Sequence, residues 1–332
     1  MIANRAVSSS LQENPEVDQD YDSDDELLPA DHYEGIGLRD DSTSSYDAVT
    51  ASFSKALRPT ASVTISFEDL TVRTRRGKRS GPATVWRPVI ENLPAADEVM
   101  LLDHVSGYAE PGEVLAIMGP SGSGKSTLLN VIMNRNLSPK FDVSGVVRVN
   151  GYEIGRKIAR ISGYLQQNDL LFPSLTVAEY LRFQVALCLG DVLDSSQQDE
   201  KVLNMLSTMG LLSCQHTKIG QPGLGKSISG GEMKRLAFAA ELLSDPAVLF
   251  CDEPTTGLDS FRAEQVVAVL RQLALLGKTI ICVIHQPSST VFEMFNRIIF
   301  LANGRVAFQG QIACAKNFFE SIGHFLPTKI PA

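Results

Sequence analysis

Long apolar runs are missing from this chain. No stretch in its 332 residues approaches the roughly 18 consecutive apolar residues of a membrane-spanning helix. The opening residues, MIANRAVSSSLQENPEVDQD, hold no apolar core of the kind a secretory signal needs. Neither a membrane span nor an export signal is therefore expected. Five cysteines, Cys188, Cys214, Cys251, Cys282 and Cys314, are odd in number and form no CxxC pair. That spacing argues against a zinc ribbon or a disulfide framework and suits a reducing, cytosolic setting. Also missing is a broad basic field. Residues 1–60 carry thirteen acidic and four basic side chains and account almost alone for the net charge of -8. The remainder lies within one charge of neutrality, so no nucleic-acid partner is expected. No internal repeat is visible, which leaves a single unit.

With 44% hydrophobic residues, the chain can bury a large core. Residues 1–58 are rich in Ser, Asp and Glu and are expected to form a disordered acidic tail. The ordered domain is expected over 59–322. VTISFEDLTV at 63–72 alternates as a half-buried strand does. The basic stretch RTRRGKRSGP at 73–82 carries turn residues and reads as a loop inserted between two strands. From Glu113 strand and helix alternate: EVLAIMG as a buried strand, Lys125 to Asn134 as a helix, GVVRVNG and ISGYLQ as strands. Between 176 and 210, VAEYLRFQVALCL and KVLNMLSTMG place apolar residues at helical spacing. A helical subdomain, about 168–245, is expected as an insertion in an α/β core. After it come a helix at 231–243, a strand at 247–252, a helix at 261–276 and a strand at 279–284. The last strand pair, RIIFLANGRVAFQG, turns at Asn303 and Gly304.

GPSGSGKST at 119–127 matches GxxxxGK[ST], and it follows a strand and opens a helix, as phosphate cradling requires. Gly119, Gly122 and Gly124 let backbone N–H groups wrap phosphates, and the helix N-terminus adds its dipole. The whole run, Gly119, Pro120, Ser121, Gly122, Ser123, Gly124, Lys125, Ser126 and Thr127, is assigned to nucleotide. Lys125 suits the β and γ phosphates and Ser126 suits magnesium, so ATP and Mg2+ are the expected cofactors. The run AVLFCDE at 247–253 delivers two carboxylates to the carboxyl edge of a buried strand, where ligands of parallel sheets bind. Asp252 is expected to hold magnesium, and Glu253 to polarise the attacking water as general base.

ISGGE at 228–232 and VIHQPSS at 283–289 complete the set. Ser229, Gly230, Gly231 and Glu232 resemble the signature loop of ATP-binding-cassette ATPases. From about Val63 to its end the chain resembles one nucleotide-binding domain of an ABC transporter. The resemblance implies a P-loop NTPase core of the ABC ATPase type, with an antiparallel β subdomain and an inserted α-helical signature subdomain. It also implies roles. Gln167 matches the Q-loop glutamine, a magnesium contact that senses the transmembrane partner. Asp259 matches the D-loop across the dimer interface, and His285 the switch histidine at the γ-phosphate. The other histidines, His32, His104, His216 and His324, read as surface or capping residues. Ser229 and Gly231 are implied to act in trans, on ATP held by the opposing cassette of a head-to-tail homodimer or heterodimer.

SGGEMKR, DEPTTGLDS, IHQPSS and the FFESIG helix together resemble the G subfamily of White-type half-transporters, in which this domain precedes a transmembrane domain. The implied function is the ATP-hydrolysing subunit of an exporter of lipid, sterol, pigment-precursor or xenobiotic molecules, on the cytosolic face of a membrane. LPTKIPA, within 323–332, resembles the start of the linker to that transmembrane domain. Two departures stand out: Val72 falls where many cassettes place an adenine-stacking aromatic, and Met233 where the subfamily often has a basic residue. Two other readings stay open from sequence. One is a non-transporting cassette that pairs with full-length partners, and the other a soluble cassette ATPase, supported only by the basic loop near Arg75.

Overall fold

In the computed structural model, residues 62–75, 98–135, 140–167, 170–220 and 227–323 are described. The expected acidic tail at 1–58, most of the basic insertion and the linker after Gly323 lie outside them. Along the chain come β1 (Ile65–Arg75), β2 (Glu98–Ala109), β3 (Val114–Met118), α1 (Lys125–Ile132) and β4 (Phe141–Val149). A short 3-10 turn leads into α2 (Ile158–Ile161) and β5 (Ser162–Leu165). Then follow α3 (Val177–Leu189), α4 (Ser195–Thr208), α5 (Gly230–Leu242), β6 (Val248–Asp252) and α6 (Ser260–Leu275). The domain closes with β7 (Thr279–Val283), α7 (Ser289–Glu293), β8 (Arg297–Ala302), β9 (Arg305–Gln311) and α8 (Ile312–Ser321).

Two sheets result. A three-stranded antiparallel sheet has the order β2-β1-β4, and a six-stranded sheet has the order β5-β6-β7-β3-β8-β9. The larger sheet is parallel except for the β8–β9 hairpin. Its central strands read VLAIM and TIICV and are buried at every position, as a parallel sheet covered on both faces requires. One apolar cluster joins this sheet to α3, α4, α5 and α6, and a second joins it to α1 and the antiparallel sheet.

Local chemistry sets the helix starts. Thr176 and Glu179 form a capping box for α3, Asp194 and Gln197 one for α4, and Ser229 and Glu232 one for α5. Each box satisfies two otherwise unpaired N–H groups at the first turn. The buried faces then follow helical spacing, with Val177, Leu181 and Val185 inward on α3 and Val202, Met205 and Leu206 on α4.

Two features differ from the sequence pattern. β1 continues through Arg75, so the first three residues of the basic stretch are strand and not loop. β2 is illegible as a strand because its inward residues, Leu102, Val105 and Ala109, do not fall two apart. His104 and Asp69 adopt left-handed backbones there, and the β1–β2 register shifts between Phe67 and Leu70. An irregularity of this kind breaks strict alternation. The His104 imidazole bonds the Asp69 carboxylate at the surface, and that bond raises its pKa above the ordinary histidine value.

Just before β7, Lys278 is fully buried, with its Nζ bonded at 2.7 Å to both Asp245 Oδ1 and the Pro246 carbonyl. A buried ammonium survives only when paired. Asp245 has a left-handed backbone, φ 52°, which Asn tolerates. Asp245→Asn, which leaves the buried ammonium without its counter-charge, is therefore expected to cost about 3 kcal/mol, and the paired replacement Asp245→Asn/Lys278→Met about 1 kcal/mol or less, as read by urea denaturation.

Candidate functional site

The nucleotide segment leaves β3 at the middle of the larger sheet and enters α1. Its shape depends on backbones packed too closely for side chains. A Cβ on Gly119, at φ 150°, would stand 2.1 Å from the Leu301 carbonyl oxygen, and one on Gly124, at φ 99°, would stand 2.7 Å from that of Leu101. Gly304 in the β8–β9 turn donates its N–H to the Ser123 carbonyl and accepts from Asp103 N–H. Arg305 then pairs with Asp103 at 2.6 Å. The loop is thus held between β2 and the β8–β9 hairpin.

Inside the loop, Lys125 is buried and its Nζ donates to the Gly119 and Pro120 carbonyls, both at 2.9 Å. Gly124 caps α1 with no side-chain bond, so its first N–H groups are not taken by a capping side chain. Ser123 Oγ is buried without a hydrogen-bond partner among the described residues. An uncapped helix start, a buried cation and an orphaned hydroxyl together suit a polyphosphate.

Carboxylates meet this loop from β6. Ser126 Oγ donates to Asp252 Oδ1 at 3.2 Å. Burial raises the Asp252 pKa above the usual carboxylate value; the Ser126 hydrogen bond opposes that rise and the Glu253 charge adds to it. A hydroxyl beside a partly desolvated carboxylate is an oxygen donor set for a hard divalent cation, so the residues fit magnesium. Glu253 sits one residue on, at φ 50°, with its N–H donated to the Val283 carbonyl. Gln167 Nε2 donates to Glu253 Oε2 at 2.7 Å, and Thr256 Oγ1 donates to the same oxygen at 3.0 Å. Gln167, Asp252, Glu253, Ser126 and Lys125 therefore come together from three separate chain segments.

The remaining candidates come from other segments. Ser229 and Gly230 are exposed at the start of α5, whereas Gly231 is buried beneath the Arg262 and Arg235 side chains. Asp259 is exposed and caps α6 by accepting from Arg262 N–H at 2.9 Å. His285 is exposed just beyond β7. The sequence pattern missed two groups at the centre: Thr256, and Lys234, whose Nζ donates to the Gln167 carbonyl at 3.1 Å. Thr256 lies within the DEPTTGLDS run and Lys234 one turn into the signature helix, so position alone could have flagged both. Val72 requires a correction. Its side chain is fully buried in the core of the antiparallel sheet, so it does not offer the surface on which an adenine would stack. In an irregular β1 the register from one known strand does not transfer.

Residues 102–256 match the family described as ABC transporter. The chain belongs to the ABC transporter family. Residues 285–332 match a second family of the same class, described as ABC-2 type transporter. Among curated relatives of this ABC protein, the ABC transporter ATP-binding protein/permease wht-3 of Caenorhabditis elegans is 42% identical over 282 residues, 85% of this chain and 43% of its own length. Protein white of Drosophila melanogaster is 44% identical over 268 residues, 76% of this chain and 38% of its own. The chain thus spans less than half the length of these relatives. Among solved structures, an ATP-binding cassette dimer in a post-hydrolysis state bound to ADP and Pi superposes with a TM-score of 0.58. It is 25% identical and covers 75% of this chain and 98% of its own.

The packing at Gly119 yields a test. Alanine there meets a carbonyl and an unfavourable φ, and strained backbone of this kind costs about 1–3 kcal/mol. Gly119→Ala is expected to lower folding stability by about 1–3 kcal/mol in urea denaturation and, because the loop must shift away from the Leu301 carbonyl, to weaken ATP binding in a fluorescent-nucleotide titration.

Proposed function

We propose that this domain binds and hydrolyses magnesium ATP as one half of a cassette pair, and that the cycle powers outward movement of a molecule through an attached transmembrane domain. The convergence of Lys125, Ser126, Gln167, Asp252 and Glu253 carries the reading. Lys125 exchanges its two loop carbonyls for phosphate oxygens, and the uncapped turn of α1 supplies N–H donors. Ser126 and Asp252 are the residues suited to hold magnesium, which would neutralise charge on the β and γ phosphates when bound. Gln167 and Thr256 both occupy Oε2 of Glu253, so Oε1 is the oxygen presented to a water. A carboxylate held this way is oriented before it accepts a proton. His285, beyond β7, is the group proposed for the γ-phosphate.

Ser229, Gly230 and Gly231 are proposed to serve ATP held by an opposing cassette, with Asp259 at the same interface. Two dimeric structures of one cassette among the structural neighbours support that arrangement. The partner across the interface is a second copy or another cassette. Lys234 ties the start of α5 to Gln167, so movement of the signature helix reaches the catalytic cluster directly.

The surface beyond Gln167 suits an apolar partner. Leu170, Phe172, Phe183 and Leu187 are all exposed there, and Phe172 packs edge-on against Tyr180 and Phe183. Clustered exposed apolar side chains of this kind mark interaction sites. The match of 285–332 to an ABC-2 type family points to a transmembrane domain as occupant. On this reading the domain works at the cytosolic face of a membrane, and its cargo is a lipid, sterol, pigment precursor or xenobiotic.

Glu253→Gln is the deciding variant. It keeps the hydrogen-bonding shape and loses the base, so magnesium-dependent ATP hydrolysis is expected to fall by about a hundredfold or more while nucleotide binding survives. Phosphate release and nucleotide binding are measured side by side; equal turnover in the variant removes the reading.

A further inference from the structure

We infer that the cavity between α4, α5 and α6 is a binding site for a small amphipathic carboxylate, an apolar body ended by one anionic group. The cavity has a volume of about 380 Å3, within the ordinary range for small-molecule sites, roughly 300–1,000 Å3. Its walls are apolar, formed by Met209, Phe238, Val266 and Val269. Arg235 and Arg262 also line it, together with Thr208 and Gln265.

Those arginines converge on one point. The position a Cβ would take on Gly231 lies 3.7 Å from Arg235 Nη1 and 3.8 Å from Arg262 Nε. Two guanidinium groups brought so close repel unless negative charge offsets them. Glu232 beside Arg235 and Asp259 beside Arg262 offset part of that charge, and each already accepts a hydrogen bond. Glu232 accepts the Ser229 N–H in the α5 capping box, and Asp259 caps α6 while meeting Arg262 Nε at 3.3 Å. Arg235 Nε is buried with no hydrogen-bond partner among the described residues. A buried donor left unmatched is costly, and a planar guanidinium fork matches a carboxylate in two bonds. Apolar walls disfavour a small hydrated anion such as inorganic phosphate, so the ligand carries hydrophobic bulk.

Occupancy would act on the ATP cycle. A ligand carboxylate on Arg262 competes with Asp259, and both arginines flank Gly231 at the start of the signature helix. This second step rests on the proposed trans role of that helix, whereas binding itself does not.

The test titrates the purified chain with 4-phenylbutyrate by calorimetry, with 4-phenylbutanol and inorganic phosphate as controls. Saturable binding of 4-phenylbutyrate is expected, weaker by tenfold or more in the Arg235→Gln/Arg262→Gln double variant and in Val269→Trp, which fills the cavity from α6. Nucleotide titration of Val269→Trp confirms that the fold is intact. No binding, equal binding of 4-phenylbutanol, arginine-dependent phosphate binding of equal strength, or unchanged affinity in Val269→Trp would each overturn the assignment. Because calorimetry reads no hydrolysis, a failed Glu253→Gln experiment leaves this result standing.

Discussion

Backbones meet at the nucleotide loop with no room for a side chain between them. The Leu301 carbonyl stands where a Cβ on Gly119 would be, and the Leu101 carbonyl crowds the same position on both Gly124 and Gly304. Leu101 belongs to the antiparallel sheet and Leu301 to the parallel one, so this contact is where the two sheets are registered against each other. Glycine is required for a steric reason and a conformational one, since both loop positions have positive φ. Once the sheets are fixed there, α1 leaves the loop in only one direction, and its N-terminal amides face the space beside β6.

Chemistry at that space follows from strand order. β6 lies two strands from β3, with β7 between them, and β6 ends at Asp252 while β3 ends just before the loop. A hydroxyl from one strand's loop thereby reaches a carboxylate from the other at 3.2 Å. Glu253 is pushed beyond the strand end by its left-handed backbone, and Val283 of β7 holds its N–H. Strained backbone persists where its surroundings determine it, and here a strand neighbour, Gln167 and Thr256 all do so. The position of Glu253, the proposed general base, is thus fixed by the sheet and not by its own side-chain preference.

Much of this was legible in the sequence because local chemistry and global fold agree. VLAIM and TIICV announce buried parallel strands, and the helical spacing within 176–210 falls on α3 and α4. The motif segments could be placed on strand ends by pattern alone. What stayed hidden involves contacts distant in sequence. β2 escapes because the bulge at His104 and Asp69 removes its period of two. The burial of Val72 depends on the same irregular pairing. Lys234 and Thr256 carry no signal of their own type, since a lysine on a helix and a threonine in a turn are ordinary until a partner 67 residues away is brought to one of them. Nothing in composition announces that Arg235 and Arg262 share one point.

The two helix starts proposed to face phosphate are built unequally, and the difference bears on how a cassette pair would close. α1 begins at a glycine with no side-chain cap, so its amides satisfy themselves best by taking phosphate. α5 begins with a complete Ser229 and Glu232 box, so part of its N-terminal demand is met before any ligand arrives. The first site therefore gains more from nucleotide than the second. On the proposed trans arrangement, a chain with this asymmetry would load ATP on its own loop first and engage the opposing signature helix afterwards, with the Ser229 hydroxyl still able to donate its proton. Closure then depends on nucleotide already bound, and loss of the γ-phosphate removes the weaker contact before the stronger one. Such an order lets hydrolysis open the pair without first emptying the loop.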